Sequence, residues 1–251
     1  MNTLKDRVAI VTGGGQGVGL GIAQAFVAEG AALVISGRDE RKLQAAATAL
    51  RAGGARVHTV IADARLRSDA LRTVETAIKT FGRLDILVNN AQSSVPGKPL
   101  EEIDEATLQL TVESGLYGTF HHMQAAFPHL KNAGGSIINL GSREGIFGGI
   151  GFGAYAATKE GIRGLSRSAA REWGRYRIRV NVICPAALSP AAITFLAEHS
   201  DQAEMYRSQI ALGYFGDPRG DIGPVAVFLA GPASAYVTGQ TINADGGQMM
   251  L

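Results

Sequence analysis

Val8-Ala9-Ile10-Val11 runs directly into Thr12-Gly13-Gly14-Gly15-Gln16-Gly17-Val18-Gly19. After that loop Leu20, Ile22, Ala23, Phe26 and Val27 recur at helical spacing up to Glu29-Gly30. The apolar run reads as a buried strand, and Gly30 as a helix stop. A strand, a glycine loop and a helix in that order aim the helix's free N–H groups and positive dipole end at the loop. The glycines permit a tight turn and let a pyrophosphate approach the backbone. Gly13, Gly15, Gln16, Gly17, Val18 and Gly19 are therefore candidate dinucleotide-binding residues. A glycine loop alone is a weak signal, and its bland reading is an ordinary turn. Here the strand and the helix that the motif requires stand on both sides of it.

The rest of the chain repeats the alternation. Ala32-Leu33-Val34-Ile35-Ser36 reads as a second strand, ending in Gly37-Arg38-Asp39. An acid at such a strand end binds a ribose 2′-hydroxyl, whereas an arginine accommodates a 2′-phosphate. Gly37 stands where the acid would be, and the Arg38 guanidinium suits a phosphate in charge and shape. NADP is favoured; the alternative is that Asp39 serves NAD and Arg38 is a solvated charge. A helix over 41–52 leads to a third strand, Val57–Ile61, which ends at Ala62-Asp63-Ala64. Ser68 is expected to cap a helix reaching Phe81. Ile86-Leu87-Val88 is a fourth strand, ending in Asn89-Asn90-Ala91-Gln92. Asp104 opens a long helical stretch to about Leu130, with Gly115 and Gly118 inside it. A fifth strand, 136–140, ends at Gly141-Ser142, and a helix runs from Tyr155 toward Trp173. A sixth strand, Arg179–Cys184, stops at Pro185. Asp221 is expected to cap a helix to Leu229, and 240–243 is a last strand before Asp245-Gly246-Gly247. This pattern predicts an α/β fold: one doubly wound parallel sheet of about seven strands with helices on both faces. A single domain over 1–251 is the simplest division. Residues 188–214 lack a strand pattern and suit a segment that covers the substrate.

Tyr155-Ala156-Ala157-Thr158-Lys159 adds a possible chemistry. Side chains at that spacing share one helix face, a turn apart. A lysine ammonium beside a phenol is expected to lower the phenol's pKa and let it exchange a proton near neutral pH. Taken alone, the pair is more often an ordinary surface tyrosine and lysine.

Composition removes other function classes. A formal net charge of +2 is too small to argue for nucleic acid or an anionic membrane. Cys184, the one cysteine, has no disulfide partner within the chain and reads as a buried structural thiol. No apolar run approaches the ~20 residues of a membrane helix, and the first residues lack the apolar core of a signal peptide. The expectation is a soluble cytoplasmic protein. His121, His122 and His129 have no carboxylate or cysteine to complete a metal set, so no metal is expected. Arg171, Arg175, Arg177 and Arg179 read as cations at a helix C-terminus.

Together, Thr12-Gly13-x-x-x-Gly17-x-Gly19, Asp63, Asn89-Asn90-Ala91, Ser142, Tyr155-x-x-x-Lys159, Arg179-Val180-Asn181 with Pro185, and Asp245-Gly246-Gly247 closely resemble the short-chain dehydrogenase/reductase family over nearly the whole chain. The resemblance implies a Rossmann-type fold, a homotetramer, and an oxidoreductase interconverting an alcohol and a ketone or aldehyde. It makes Tyr155 the general acid/base, and has Lys159 tune it and hold the nicotinamide ribose. Ser142 would stabilise the reacting oxygen. It adds Asp63, Ala64, Asn89, Ala91, Pro185, Ala186 and Leu188 to the cofactor contacts, with Gln92, Ser94, Glu144, Phe147 and Phe195 toward the substrate. Alternatives kept open are a nicotinamide-binding protein with little redox activity and an epimerase-type reaction.

Three departures stand out. Gly115 replaces an asparagine that helps to hold a relay water in the family, so Gly115→Asn is expected not to reduce turnover. Gln92 replaces a glycine. Pro185-Ala186 replaces Pro-Gly, and Ser189-Pro190 stands where a cofactor-contacting threonine is expected.

Overall fold

In the computed structural model, which describes residues 2–188, 193, 204–205 and 207–250, seven strands form one sheet. They are β1 (Val8–Thr12), β2 (Ala32–Gly37), β3 (Val57–Ile61), β4 (Ile86–Asn89), β5 (Gly135–Leu140), β6 (Ile178–Pro185) and β7 (Thr241–Ala244). Their order is β3-β2-β1-β4-β5-β6-β7, and every pairing is parallel. The order reverses between β1 and β4. That switch point opens a crevice beyond the strands' carboxyl ends, where ligands of such sheets bind.

Continuous apolar runs in the central strands follow from burial on both faces. β1 is buried at all five positions. Its Ala9 and Val11 join the core on one face with Phe26, Ile35 and Leu43, while Val8 and Ile10 join the other with Val34, Met123 and Val180. The helices covering these faces are α1 (Gly17–Ala28), α2 (Glu40–Arg51), α3 (Arg67–Phe81), α4 (Glu105–Val112), α5 (Gly118–Leu130), α6 (Arg143–Phe147), α7 (Gly153–Trp173) and α8 (Gly223–Ala230). None of these helices is long and apolar enough to cross a membrane.

Four local details differ from expectation. The long helix is α4 and α5 joined by a π-turn, Glu113–Tyr117, with Gly115 inside it. The short helix α6, capped by the Ser142 hydroxyl, has too few residues to show periodicity. Ser68 does not cap α3: the helix starts at Arg67 after Leu66, and Asp69 instead reaches back to the Asp63 N–H at 2.8 Å. Asp221 does not cap α8. Asp217 caps a π-turn at Pro218–Ile222 that leads into it, and Asp221 accepts the Asp217 N–H at 2.7 Å.

The remaining motifs tie the scaffold together. Asn181 bonds the Val237 carbonyl and the Gln240 N–H, joining β6 to the turn before β7. Arg179 reaches Ser234 at 2.8 Å. Asp245 accepts N–H groups of Gly247 and Met249. Cys184 is buried, as expected, and burial raises its thiol pKa to about 11, so it is inert near neutral pH. The expected covering segment lies mostly outside the described residues; Phe195, Ser189 and Pro190 all do.

Candidate active site

The glycine loop folds against the loop after β4. Gly13 and Gly17 take φ of +65° and +55°, a region that costs other residues strain. A Cβ on Gly13 would fall 2.7 Å from Asn90 Nδ2, and one on Gly19 2.5 Å from the same atom. Asn90 Nδ2 donates to the Thr12 carbonyl at 2.9 Å, while the N–H groups of Asn90 and Ala91 donate to Thr12 Oγ1 at 2.9 and 3.0 Å. The Thr-Gly and Asn-Asn-Ala motifs are thus two halves of one clamp. Gln16, at the start of α1, makes no side-chain cap, and the first turn carries no acid. The helix's positive end is left for an anion.

A groove of about 330 Å³ runs beside this clamp. It is lined by Gly37, Arg38, Asp39 and Lys42 at and after the end of β2, by Gly13, Gly15 and Gln16 of the glycine loop, by Asp63 and Ala64 after β3, and by Ala91, Gln92, Ser93 and Ser114. Arg38 spans the mouth, donating to Ser93 Oγ at 3.1 Å. Lys42 donates to Gln16 Oε1 at 2.8 Å. No motif points to Lys42; only the placement of α2 after β2 brings its charge to the groove. The Asp39 carboxylate is engaged at the α2 N-terminus, accepting the Lys42 N–H at 3.0 Å. Asp63 lines the groove but is gripped by Arg65, with its shortest contact at 2.6 Å. That hydrogen bond holds the Asp63 carboxyl below the usual carboxylate range. Asn89 turns the other way: its Nδ2 donates to Asn139 Oδ1 at 2.8 Å, in the interior between sheet and α7. The Asn89 side chain serves the scaffold. Pro185 and Ala186 lie at the carboxyl end of β6, and Leu188 is held by the Gly216 carbonyl at 3.2 Å.

Ser142, Tyr155 and Lys159 converge beyond the ends of β5 and β6. The Lys159 ammonium lies 5.4 Å from the Tyr155 ring centre and donates to the Leu140 carbonyl at 2.7 Å. Lys159 is fully buried, and that burial lowers its pKa to about 8. The expected lowering of the Tyr155 pKa does not hold in this structure. Burial raises it, the hydrogen bond with Ser142 pulls the other way, and the charge of Glu144 adds to the rise. Desolvation of the phenolate is the largest cause and sets the direction. Ser142 Oγ also accepts the Glu144 N–H at 3.1 Å. Glu144 is paired with Arg143 at 2.7 Å. Phe147 is 73% exposed at the end of α6, and Ser94 is exposed on the opposite loop.

The Gln92 side chain is turned inward. Its amide lies buried beside Gly115, where a Cβ would fall 2.9 Å from Gln92 Cδ and 2.5 Å from Thr158 Cγ2. A side chain at 115 therefore requires the Thr158 methyl and the Gln92 amide, the far end of a flexible side chain, to shift.

The sheet order, the clamped glycine loop and the groove define a dinucleotide-binding α/β protein. A family model described as enoyl-(acyl carrier protein) reductase matches residues 13–249. A 12alpha-hydroxysteroid dehydrogenase from a Clostridium species is 42% identical, the match covering 98% of each chain. Two solved structures superpose closely. One is levodione reductase, with a TM-score of 0.92 and 31% identity over 98% of each chain. The other is a short-chain type dehydrogenase/reductase from Mycobacterium ulcerans, with a TM-score of 0.93 and 31% identity over 98% of this chain and 90% of that one. The chain belongs to the short-chain dehydrogenase/reductase family of oxidoreductases.

Proposed function

We propose that the protein is an NADP-dependent oxidoreductase that interconverts an alcohol and a ketone or aldehyde, with Tyr155 as general acid/base. The observation that carries this reading is the convergence of Ser142, Tyr155 and Lys159 at the strand ends. The site suits a dinucleotide: Gly13 and Gly19 leave no room for side chains, the α1 N-terminus carries no side-chain cap, and Arg38 and Lys42 line the groove. Those two cations, with Asp39 occupied in capping, support a 2′-phosphate and hence NADP.

When bound, the nicotinamide supplies or accepts the hydride. In reduction Tyr155 gives its phenolic proton to the carbonyl oxygen, and in oxidation it takes that proton back from the alcohol. Its raised pKa keeps the phenol protonated at neutral pH, the form that reduction requires. Ser142 hydrogen-bonds the same oxygen and stabilises the charge that develops on it. Lys159 supplies positive charge behind the phenol and a donor to the ribose.

Val95, Leu100, Phe147 and Ile150 are exposed on the loops around α6, an apolar rim that favours a bulky, weakly polar carbonyl compound. The hydroxysteroid relative makes steroid ketones the first members of a substrate panel. The test is consumption of NADPH against NADH across that panel, with Tyr155→Phe as control. Loss of NADPH-dependent turnover in the variant is expected. Equal rates for wild type and variant would sink the reading, and a preference for NADH would remove the NADP part. Arg38→Ser should weaken NADPH far more than NADH.

A homotetramer is the proposed assembly, supported by Leu108, Tyr117 and Phe120, which stand 43%, 52% and 40% exposed along α4 and α5. Sedimentation showing a monomer would remove it. A cytoplasmic location fits the lone buried thiol of Cys184.

A further inference from the structure

Gln92 is the groove side chain whose polar atoms are left without work. Both Oε1 and Nε2 are shielded from solvent and have no hydrogen-bond partner among the described residues. The backbone around it is fixed: the Ala91 N–H donates to Thr12 Oγ1 at 3.0 Å, and the Ser93 N–H to Ser114 Oγ at 2.9 Å. Gln92 lines the groove beside Ser93. Its amide packs against the position that a Cβ on Gly115 would fill, and Thr158 touches the same point. Thr158 precedes Lys159 on α7, so the amide stands where the groove meets the helix that carries the acid/base pair.

A buried carboxamide without partners destabilises the resting protein. A methionine of nearly the same shape would fill that space without this cost. We propose that Gln92 is a cofactor-contacting residue: when a dinucleotide enters, its carboxamide turns from Gly115 toward the groove and hydrogen-bonds the nicotinamide half. That half offers ribose hydroxyls and an amide, a match for one donor and one acceptor. Gly115 is the complement, since a side chain there would occupy the amide's resting place. The proposal rests on the nicotinamide reading above.

The test is Gln92→Met, with Gln92→Leu as the second variant where methionine fails to fold. Calorimetry gives dissociation constants for NADPH and for 2′,5′-ADP, which carries the adenosine half alone, and thermal melts are run without cofactor. Three results are expected together. The cofactor-free variant melts no lower than wild type. Its NADPH affinity falls about tenfold, as the loss of one net hydrogen bond implies. Its affinity for 2′,5′-ADP is unchanged. NADPH affinity equal to wild type would overturn the proposal. Equal losses for NADPH and 2′,5′-ADP would also overturn it, because the residue would then act through groove shape alone. Wild-type protein that binds neither NADPH nor NADH would instead remove the nicotinamide reading itself.

Discussion

An ammonium buried against a backbone carbonyl governs the pH behaviour of the Tyr155–Lys159 pair. Lys159 carries its charge below about pH 8 and loses it above. Reduction of a carbonyl uses the protonated phenol and the lysine cation together. Its kcat is therefore expected to be level through neutral pH and to fall above about 8, measured as a pH–rate profile at saturating cofactor. Lys159→Arg, whose guanidinium stays charged, should move that falling limb upward in whatever activity remains. A limb that stays in place under this substitution would remove Lys159 as its source. At this scale the sequence was partly legible. The spacing of Tyr155 and Lys159 forces them onto one helix face, and the structure keeps them there. The direction of the phenol's shift was not legible, because it depends on how completely β5, β6 and α6 exclude water from the ring. Lys42 was equally hidden, being one of several charges on α2 until β2 aims the start of that helix at the groove.

Elements meet where glycine lets backbones touch. A Cβ on Gly21 in α1 would fall 2.3 Å from the carbonyl carbon of Pro218 and 2.5 Å from its oxygen. Backbone cannot yield as a side chain does. Gly21→Ala is expected to lose about 3 kcal/mol to overpacking against about 1 kcal/mol of helix propensity gained. The net loss of about 2 kcal/mol lowers Tm by about 4–8 °C in a chain of this size. Gly164 in α7 is the matched control, because a Cβ there meets nothing within 4 Å. Gly164→Ala should hold or raise Tm. Melts showing the same change for both would remove the packing argument. The strands and long helices were legible from periodicity to within a residue or two. The caps were not: Ser68 and Asp221 have the right chemistry, but α3 begins without a side-chain cap and Asp217 takes the place of Asp221. Which of several short polar residues completes a turn is decided by the path of the backbone around it. The π-turn at Glu113–Tyr117 has no periodic signature of its own, and only Gly115 marks it.

Across the whole molecule, burial of one histidine couples folding to acid. His122 lies fully inside the α3–α5 core, its Nδ1 2.8 Å from the Gly118 carbonyl, and burial lowers its pKa to about 4. The unfolded chain takes up a proton near pH 6.5 while the native one does not. Stability is therefore full above that pH and falls as pH drops, by about 3 kcal/mol at pH 4. Denaturant titrations of wild type and His122→Gln between pH 7 and about 4 check this; the variant should lose less stability. Parallel pH dependences would remove His122 as the cause. At the same scale, the order of apolar runs, glycine stops and polar strand ends determined the alternation of strands and helices, and with it a parallel sheet whose carboxyl edge holds the site. Those features depend on local period and on short connections, which a single sequence carries. Tertiary structure decided what those residues do once assembled. It turned Asn89 into the scaffold, bound Asp63 to Arg65, occupied Asp39 in a cap, and laid the Gln92 amide against Gly115. Each of these depends on which group from a distant segment arrives within hydrogen-bonding or van der Waals distance, and that distance is set only when the sheet and its helices close on one another.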